Sequence, residues 1–200
     1  VDAQTRALTA HLSHVDVTLS PAGSDVSATE VAEVLTNTPG LVASPEMSTY
    51  GQAASQTNRA DLRFDHLVAP ELRWQELLDG DWPSGPGEVA LETNTANRLD
   101  VSLGDTIDVS NYDGLTVQLQ VVGIVAAYGP EESRGLITPD ALDTDEFPCM
   151  YSGVLVASTD SAQSVSSPAE QQTETEATVT AALIAAGIDD WLVHTKAETI

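Results

Sequence analysis

An α+β fold is predicted for this 200-residue chain by three observations. Apolar residues alternate at period two in several short runs, recur at helical spacing in a few others, and the two kinds of run follow the order strand, helix, strand on either side of a strand-rich middle. The flanks can pair as one discontinuous βαβ + βαβ sandwich, with the middle as an inserted β-rich subdomain. The boundaries this predicts are residues 1–73 with 150–200 for the sandwich and 74–149 for the insertion.

Ala3, Ala7, Leu8 and Leu12 lie near helical spacing, so residues 1–13 read as a short amphipathic helix. His11 and His14 sit three apart on it and are read as solvated side chains, since no cysteine accompanies them as a metal ligand. Val15, Val17 and Leu19 alternate into a first strand, which Pro21 and Gly23 terminate. Ser27 and Glu30 form a capping pair for a helix whose buried stripe is Val31, Val34 and Leu35 and which Pro39 and Gly40 end. Strands are expected over residues 41–47 and 59–68, with residues 53–58 as a polar join. In the second, Leu62, Phe64 and His66 alternate with Asp61, Arg63 and Asp65. A short helix beginning at Pro70 is expected to carry Leu72, Trp74, Leu77 and Leu78.

Local order is densest next. Gly80, Pro83, Gly85, Pro86 and Gly87 fall within eight positions and force a turn before the strand run at residues 88–91. Thr93 then caps a short helix with Ala96 and Leu99 on one face, and Gly104 and Asp105 make a tight turn at which φ is expected to be positive. Ile107 and Val109 alternate with polar neighbours, residues 111–114 form a hairpin loop, and Leu115, Val117, Leu119 and Val121 continue the alternation until Gly123 breaks or bulges it. Residues 126–135 read as a mobile, charged loop, and Leu136 and Ile137 as a brief strand. Val154, Leu155 and Val156 restart regular structure. Ser167, Pro168 and Glu170 open a long helix with Val179, Ala182, Leu183 and Ala186 inward and Gly187 just past its end. Trp191, Leu192 and Val193 make the last strand.

Three pieces of this pattern together resemble the extracytoplasmic domain of FtsX/MacB-type ABC transporter permeases. They are Glu88-Val89-Ala90-Leu91, then Ala96-x-x-Leu99-x-Val101-x-Leu103-Gly104-Asp105-Thr106-Ile107, then Val121-Val122-Gly123-Ile124-Val125. The resemblance implies that the sandwich is membrane-proximal and the β-rich insertion distal. It further implies an excised segment of a cell-membrane protein, a permease that dimerises, and a cytoplasmic ATPase subunit that drives it. An extracytoplasmic protein, peptide or lipoprotein would then be expelled, extracted or activated. Gly104-Asp105 before an alternating strand also fits a double-psi-barrel domain of a molybdopterin oxidoreductase, and the acidic, β-rich surface fits a secreted binding or adhesion module.

Seven basic against 31 acidic residues give a formal net charge of -24, which repels phosphate backbones and excludes a general nucleic-acid binder. The acidity reads as solubility, in a salty habitat or a lysine-poor proteome. Cys149 is the single cysteine, so there is no internal disulfide, and it reads as a small buried hydrophobe. Walker, His-Glu-x-x-His, Cys-x-x-Cys and Gly-x-Ser-x-Gly patterns are all missing, and no catalytic residue, cofactor or metal is expected. Asp79, Asp81, Asp143, Asp145 and Glu146 lack calcium-loop spacing and read as turn acids. Trp74, Trp82 and Trp191 read as anchors of the cores or their interface. Two places are singled out: the structural turn Gly104 and Asp105, and the loop residues Glu131, Glu132 and Arg134 as the contact for a partner or substrate. Hinges are expected at residues 79–87 and 129–139.

Overall fold

The computed structural model describes residues 14–22, 26–127, 133–159 and 168–195. The expected N-terminal helix, His11, Glu131 and Glu132 lie outside them. The chain forms two compact units: one holds Met47–Leu67 and Gln75–Met150, the other the described residues up to Glu46, Val68–Trp74 and those from Tyr151 onward.

In the second unit, strand β1 (Val17–Pro21) lies antiparallel to β10 (Trp191–Thr195) on one side and to β9 (Cys149–Ser158) on the other. The start of β2 (Leu41–Ala54) is next to β9. Helices α1 (Ala28–Thr36) and α3 (Pro168–Ala185) supply the apolar stripes that bury this sheet's Val17, Leu19, Val154 and Val156. Helix α1 forms where its sequence predicts, because both halves of the capping box are made: the Ser27 hydroxyl accepts from the Glu30 amide at 3.2 Å, and the Ser27 amide donates to the Glu30 carboxylate at 2.9 Å. Val31 and Leu35 are fully buried, each contributing about 1.5–3 kcal/mol of transfer free energy. In α3 the buried stripe is Thr175, Val179 and Leu183, four apart, while Ala186, expected inward, lies just past the helix's last residue and is exposed. Gly187 takes φ +73° after the helix, as a C′ residue should.

The β-rich unit closes on itself. The end of β2 pairs with β3 (Arg59–His66), β3 with β8 (Arg134–Ile137), β8 with β5 (Glu88–Glu92), β5 with β7 (Thr116–Val125), β7 with β6 (Thr106–Ser110), and β6 returns to β2 at Ala53↔Val109. Such a ring has no open edge, and its inward residues fill it: Leu62, Phe64, Val89, Leu91, Ile107, Val109, Leu119 and Val121 are buried together. Helix α2 (Thr93–Leu99) adds Ala96 and Leu99 to the same core. Gly123 marks the bulge foreseen in β7, where the register against β5 shifts between Val89 and Ala90.

Four local expectations are corrected. Strand β2 extends through Ala53 and Ala54, because both pair with β3 and β6, leaving only residues 55–58 as the turn. The helix expected from Pro70 is a single 3-10 turn (Pro70–Leu72), and Leu77 and Leu78 lie in strand β4 (Leu77–Gly80), whose backbone groups are taken up by β7. Thr93 is the first residue of α2 and not its cap; its hydroxyl donates to the Val125 carbonyl at 3.0 Å instead. The units also divide the chain differently from the expected boundaries, since residues 47–67 belong with the β-rich unit. Residues 79–87 and the described part of 129–139 therefore lie inside one unit and are not its joints. Among the described residues no helix is long and apolar enough to cross a membrane.

Candidate functional site

The turn at Gly104 and Asp105 is built as its residue types require. Gly104 adopts φ +88° with open space where a Cβ would stand. Its amide donates to Val121 at 2.8 Å, the Val121 amide donates back to the Asp105 carbonyl at 2.8 Å, and the Asp105 carboxylate accepts from the Ser102 amide at 2.8 Å. Two of these bonds join backbone groups and the third joins the Asp105 side chain to a backbone amide. The turn thus hands the chain from α2 into β6 and fixes the register of β6 against β7.

Arg134 opens β8, which runs parallel to β3 so that Arg134 and Arg63 are register partners. Between them stands Asp65, whose two carboxylate oxygens lie 2.6 Å from Arg63 Nε and 3.6 Å from Arg134 Nη1. Buried Ser133 gathers the rest: its carbonyl accepts from the Arg63 amide at 3.0 Å and its hydroxyl accepts from Arg98 Nη1 at 2.6 Å. The Arg134 amide donates to the buried Thr95 hydroxyl at 2.9 Å. Three of the chain's seven basic residues are therefore collected around one serine and one carboxylate. Of the three loop residues named in advance, only Arg134 is within the described chain. Arg63, Asp65, Arg98 and Ser133 went unread because the parallel β3·β8 pairing that assembles them joins segments distant in sequence. Their arrangement can orient an anionic group by charge-assisted hydrogen bonds, and it contains no nucleophile poised beside a base.

Cys149, in β9, lies with its Sγ 3.7 Å from Nε2 of His66 at the end of β3. Only 5% of His66 is exposed, and its Nδ1 has no hydrogen-bond partner in the structure. Burial lowers the His66 pKa, with Asp65 opposing, and burial raises that of the Cys149 thiol, so both groups are neutral near pH 7. A neutral thiol is a poor nucleophile, which argues against a cysteine-hydrolase pair. Cys149 is half-buried with a polar neighbour and so departs from the buried hydrophobe expected.

Four of the remaining singled-out residues have structural partners. Trp82 packs against the cluster of Ala90, Val125 and Leu136, and Trp191 against the α1, α3 and β1 core. Asp79 accepts from the Gly80 amide, and Asp143 from the Asp145 amide, as turn acids do. Among the described residues no group of three His, Cys, Asp or Glu side chains is placed to hold a metal ion.

No family model and no curated protein sequence matches the chain. Solved structures do. The extracellular domain of the noncanonic ABC-type transporter YknZ from Gram-positive bacteria is similar over 90% of this chain and 99% of its own, at 15% identity and a TM-score of 0.63. The periplasmic region of MacB from Actinobacillus actinomycetemcomitans covers 94% of each chain, at 12% identity and a TM-score of 0.64. The chain has the fold of a MacB-type extracytoplasmic domain. A domain of a putative permease protein from Porphyromonas gingivalis shares it over 92% of this chain and 91% of its own, at 11% identity and a TM-score of 0.57. This MacB-type likeness extends over both units. It therefore outweighs the double-psi-barrel reading, which rested on residues 96–109.

Proposed function

We propose that this chain is the extracytoplasmic domain of an ABC transporter permease, a non-catalytic segment of a cell-membrane protein. The observation that carries the reading is the whole-length likeness to the YknZ and MacB domains and to a domain of a putative permease protein, each matched over nine-tenths or more of its own chain. A second feature supports it. Val17, near the start of the described chain, pairs with Thr195, at its end, so both flanks leave the sheet at one place. That geometry suits a segment whose two ends lead to the same membrane face.

In this reading the full-length permease works as a dimer, a cytoplasmic ATPase subunit supplies the energy, and this domain couples ATP hydrolysis to export, extraction or activation of an extracytoplasmic protein, peptide or lipoprotein. The stretch carrying Glu131, Glu132 and Arg134, the last of them the first residue of β8, is its contact. The arginine cluster around Ser133 and Asp65 supports the assignment, since a locally basic spot on a chain of net charge -24 can discriminate among partners by charge.

The test uses the complete reading frame expressed in its native type of membrane. Protease added from outside should cut within the domain, and the ATPase subunit should co-purify from solubilised membranes. Arg134→Glu should lower transport or activation by about tenfold or more while ATPase assembly stays intact. A full-length product that fractionates without membranes sinks the permease reading; wild-type function in Arg134→Glu sinks only the contact.

A further inference from the structure

In the unit built on α1 and α3, the sheet runs β10, β1, β9 and then the start of β2, and its two edges differ. The first half of β2 carries Pro45 and Glu46, residue types that stop a further strand from adding. Strand β10 reads Trp-Leu-Val-His-Thr, with no proline, lysine or carboxylate and an unbroken register against β1, which is its only strand partner among the described residues. The Ala22 amide donates to the Asp190 carbonyl at 2.8 Å, and bonding alternates along an antiparallel ladder. The backbone groups of Leu192 and His194 therefore point to β1, and those of Trp191 and Val193 point away. This edge carries apolar surface above and below. Leu192 is 52% exposed on the face turned away from α1 and α3, and Ile184 of α3 is 71% exposed on the other.

Ile184 overhangs the edge. The Thr36 hydroxyl at the end of α1 donates to the Ala43 carbonyl of β2 at 3.1 Å, while α3 packs on β10 and β1, so the two helices divide the sheet between them. Thr178, Ala182 and Ala185 of α3 face Val34 of α1 across a shallow groove. Ile184 lies about 200° around the helix from Ala182, and Thr173 and Thr180 lie within about 40° of it. These three exposed, uncharged residues form the flank of α3 on the side of the open edge.

We propose that β10 is the edge at which two copies of this domain join, antiparallel about a two-fold axis through Val193, into one continuous sheet. This gives a surface to the dimer of the permease reading and rests on that reading for its membrane setting. In this register Val193 exchanges both backbone bonds with its own counterpart, and Leu192 lies against His194 of the second copy. One residue beyond the described strand, the sequence sets Lys196, the chain's single lysine, against Asp190 of the second copy. A chain of net charge -24 thus finds opposite charges directly across this contact, once on each side of the axis. The helices fit as well. Strands lie about 4.8 Å apart and α3 covers β10 and β1 together, so the two α3 axes come to about 10 Å. Helices pack at that spacing, and it brings the two flanks of Thr173, Thr180 and Ile184 face to face. An isologous edge is used up by one pairing, so assembly stops at two.

The experiment is sedimentation equilibrium of the 200-residue chain from about 10 μM to about 1 mM, in about 0.15 M and about 0.5 M NaCl. A reversible monomer–dimer equilibrium is expected, tighter in the higher salt, because screening removes the repulsion between two chains of net charge -24. Ile184→Glu should weaken it by at least about tenfold. Val193→Pro should do the same, since proline at an amide that points out of the sheet spares the β1 ladder. Circular dichroism should show both variants folded. A chain that stays monomeric throughout, a dimer that either folded variant leaves unweakened, or association beyond two copies overturns the proposal. Should Val193→Pro fail to fold, the Val193 amide decides: its exchange should slow as wild-type concentration rises, and exchange independent of concentration overturns the edge. The permease reading is judged separately, by membrane fractionation of the complete reading frame, so the failure of one is told apart from the failure of the other.

Discussion

Replacing Gly104 isolates a backbone effect from a packing effect. Its φ is +88°, and an added Cβ would meet nothing within 4 Å, so Gly104→Ala creates no clash and tests the left-handed conformation alone. For an L-residue that conformation costs about 1–2 kcal/mol. In a chain of this length each kcal/mol lowers the melting temperature by about 2–4 °C, so a loss of roughly 2–8 °C is expected for alanine. Gly104→Asn should lose roughly half as much, because asparagine tolerates positive φ through local hydrogen bonding. Gly123 supplies the contrast, since a Cβ there would stand 2.3 Å from the Asp81 carbonyl oxygen and could be accommodated only by moving β4 away from β7. Gly123→Ala should therefore cost overpacking energy of about 1–3 kcal/mol, and asparagine there should be worse than alanine rather than better. Thermal melting followed by circular dichroism ranks the four variants. Amide exchange adds a local reading, because the Gly104 amide that donates to Val121 should lose protection in Gly104→Ala while amides of the α1 and α3 unit keep theirs. A Gly104→Ala protein that melts with the wild type, or a Gly104→Asn protein that melts below it, would refute positive φ as the reason for this glycine.

Three further outcomes are expected. The Glu30 carboxyl is held below its ordinary pKa by the Ser27 amide first and the Ser27 hydroxyl second, so the stability it contributes is complete above the unfolded pKa and disappears as pH falls through the folded one. The gap in melting temperature between wild type and Glu30→Gln should accordingly shrink as pH is lowered from 6 to about 3, and a gap independent of pH would show that the carboxylate form plays no part. Gly153→Ala would place a Cβ 2.2 Å from the Leu19 carbonyl oxygen, so it should break the β1·β9 ladder and cost about 1–3 kcal/mol or more, read as lost protection at Leu19 and Val154. Arg98→Ala leaves the buried Ser133 hydroxyl without the guanidinium that donates to it, which should cost about 1 kcal/mol and raise exchange at the Arg63 amide, whose acceptor is the Ser133 carbonyl.

What could be read from the sequence is what depends on neighbours along the chain. The Ser27 and Glu30 box, the positive φ of Gly104, the C′ position of Gly187, and the alternation of Ile107 with Val109 are decided within a few residues, and each is found where its pattern places it. What could not be read depends on distant partners. Leu72, Trp74, Leu77 and Leu78 suit one helical face as well as they suit a strand, and only the presence of β7 beside Leu77 decides for the strand. The closure of β6 onto β2 leaves no local trace either, so the extent of β2 and the membership of residues 47–67 stayed hidden. The same reason separates the site residues. Gly104 and Asp105 are adjacent and were legible, whereas Cys149 and His66 are 83 residues apart and Arg98 and Ser133 are 35 apart. Each of these was unremarkable until strand pairing brought it to its partner.

Identities of 11–15% alongside TM-scores of 0.57–0.64 separate two kinds of constraint on this chain. A closed ring of strands needs inward apolar residues at every second position and a few glycines where backbones meet, and many sequences meet that demand. Phe64 illustrates the point: it fills the ring because Gly135 on the neighbouring strand leaves room, its ring carbons standing about 3 Å from where a Cβ would be. Such a pairing can be met by other large and small residues exchanged across the same two strands. Recognition of a partner is not so permissive, because it depends on the charge and reach of particular exposed groups. A shared fold at this identity therefore passes on the scaffold without its specificity. The guanidinium groups gathered at Ser133 and the thiol beside His66 are side chains that the closed ring of strands does not itself call for.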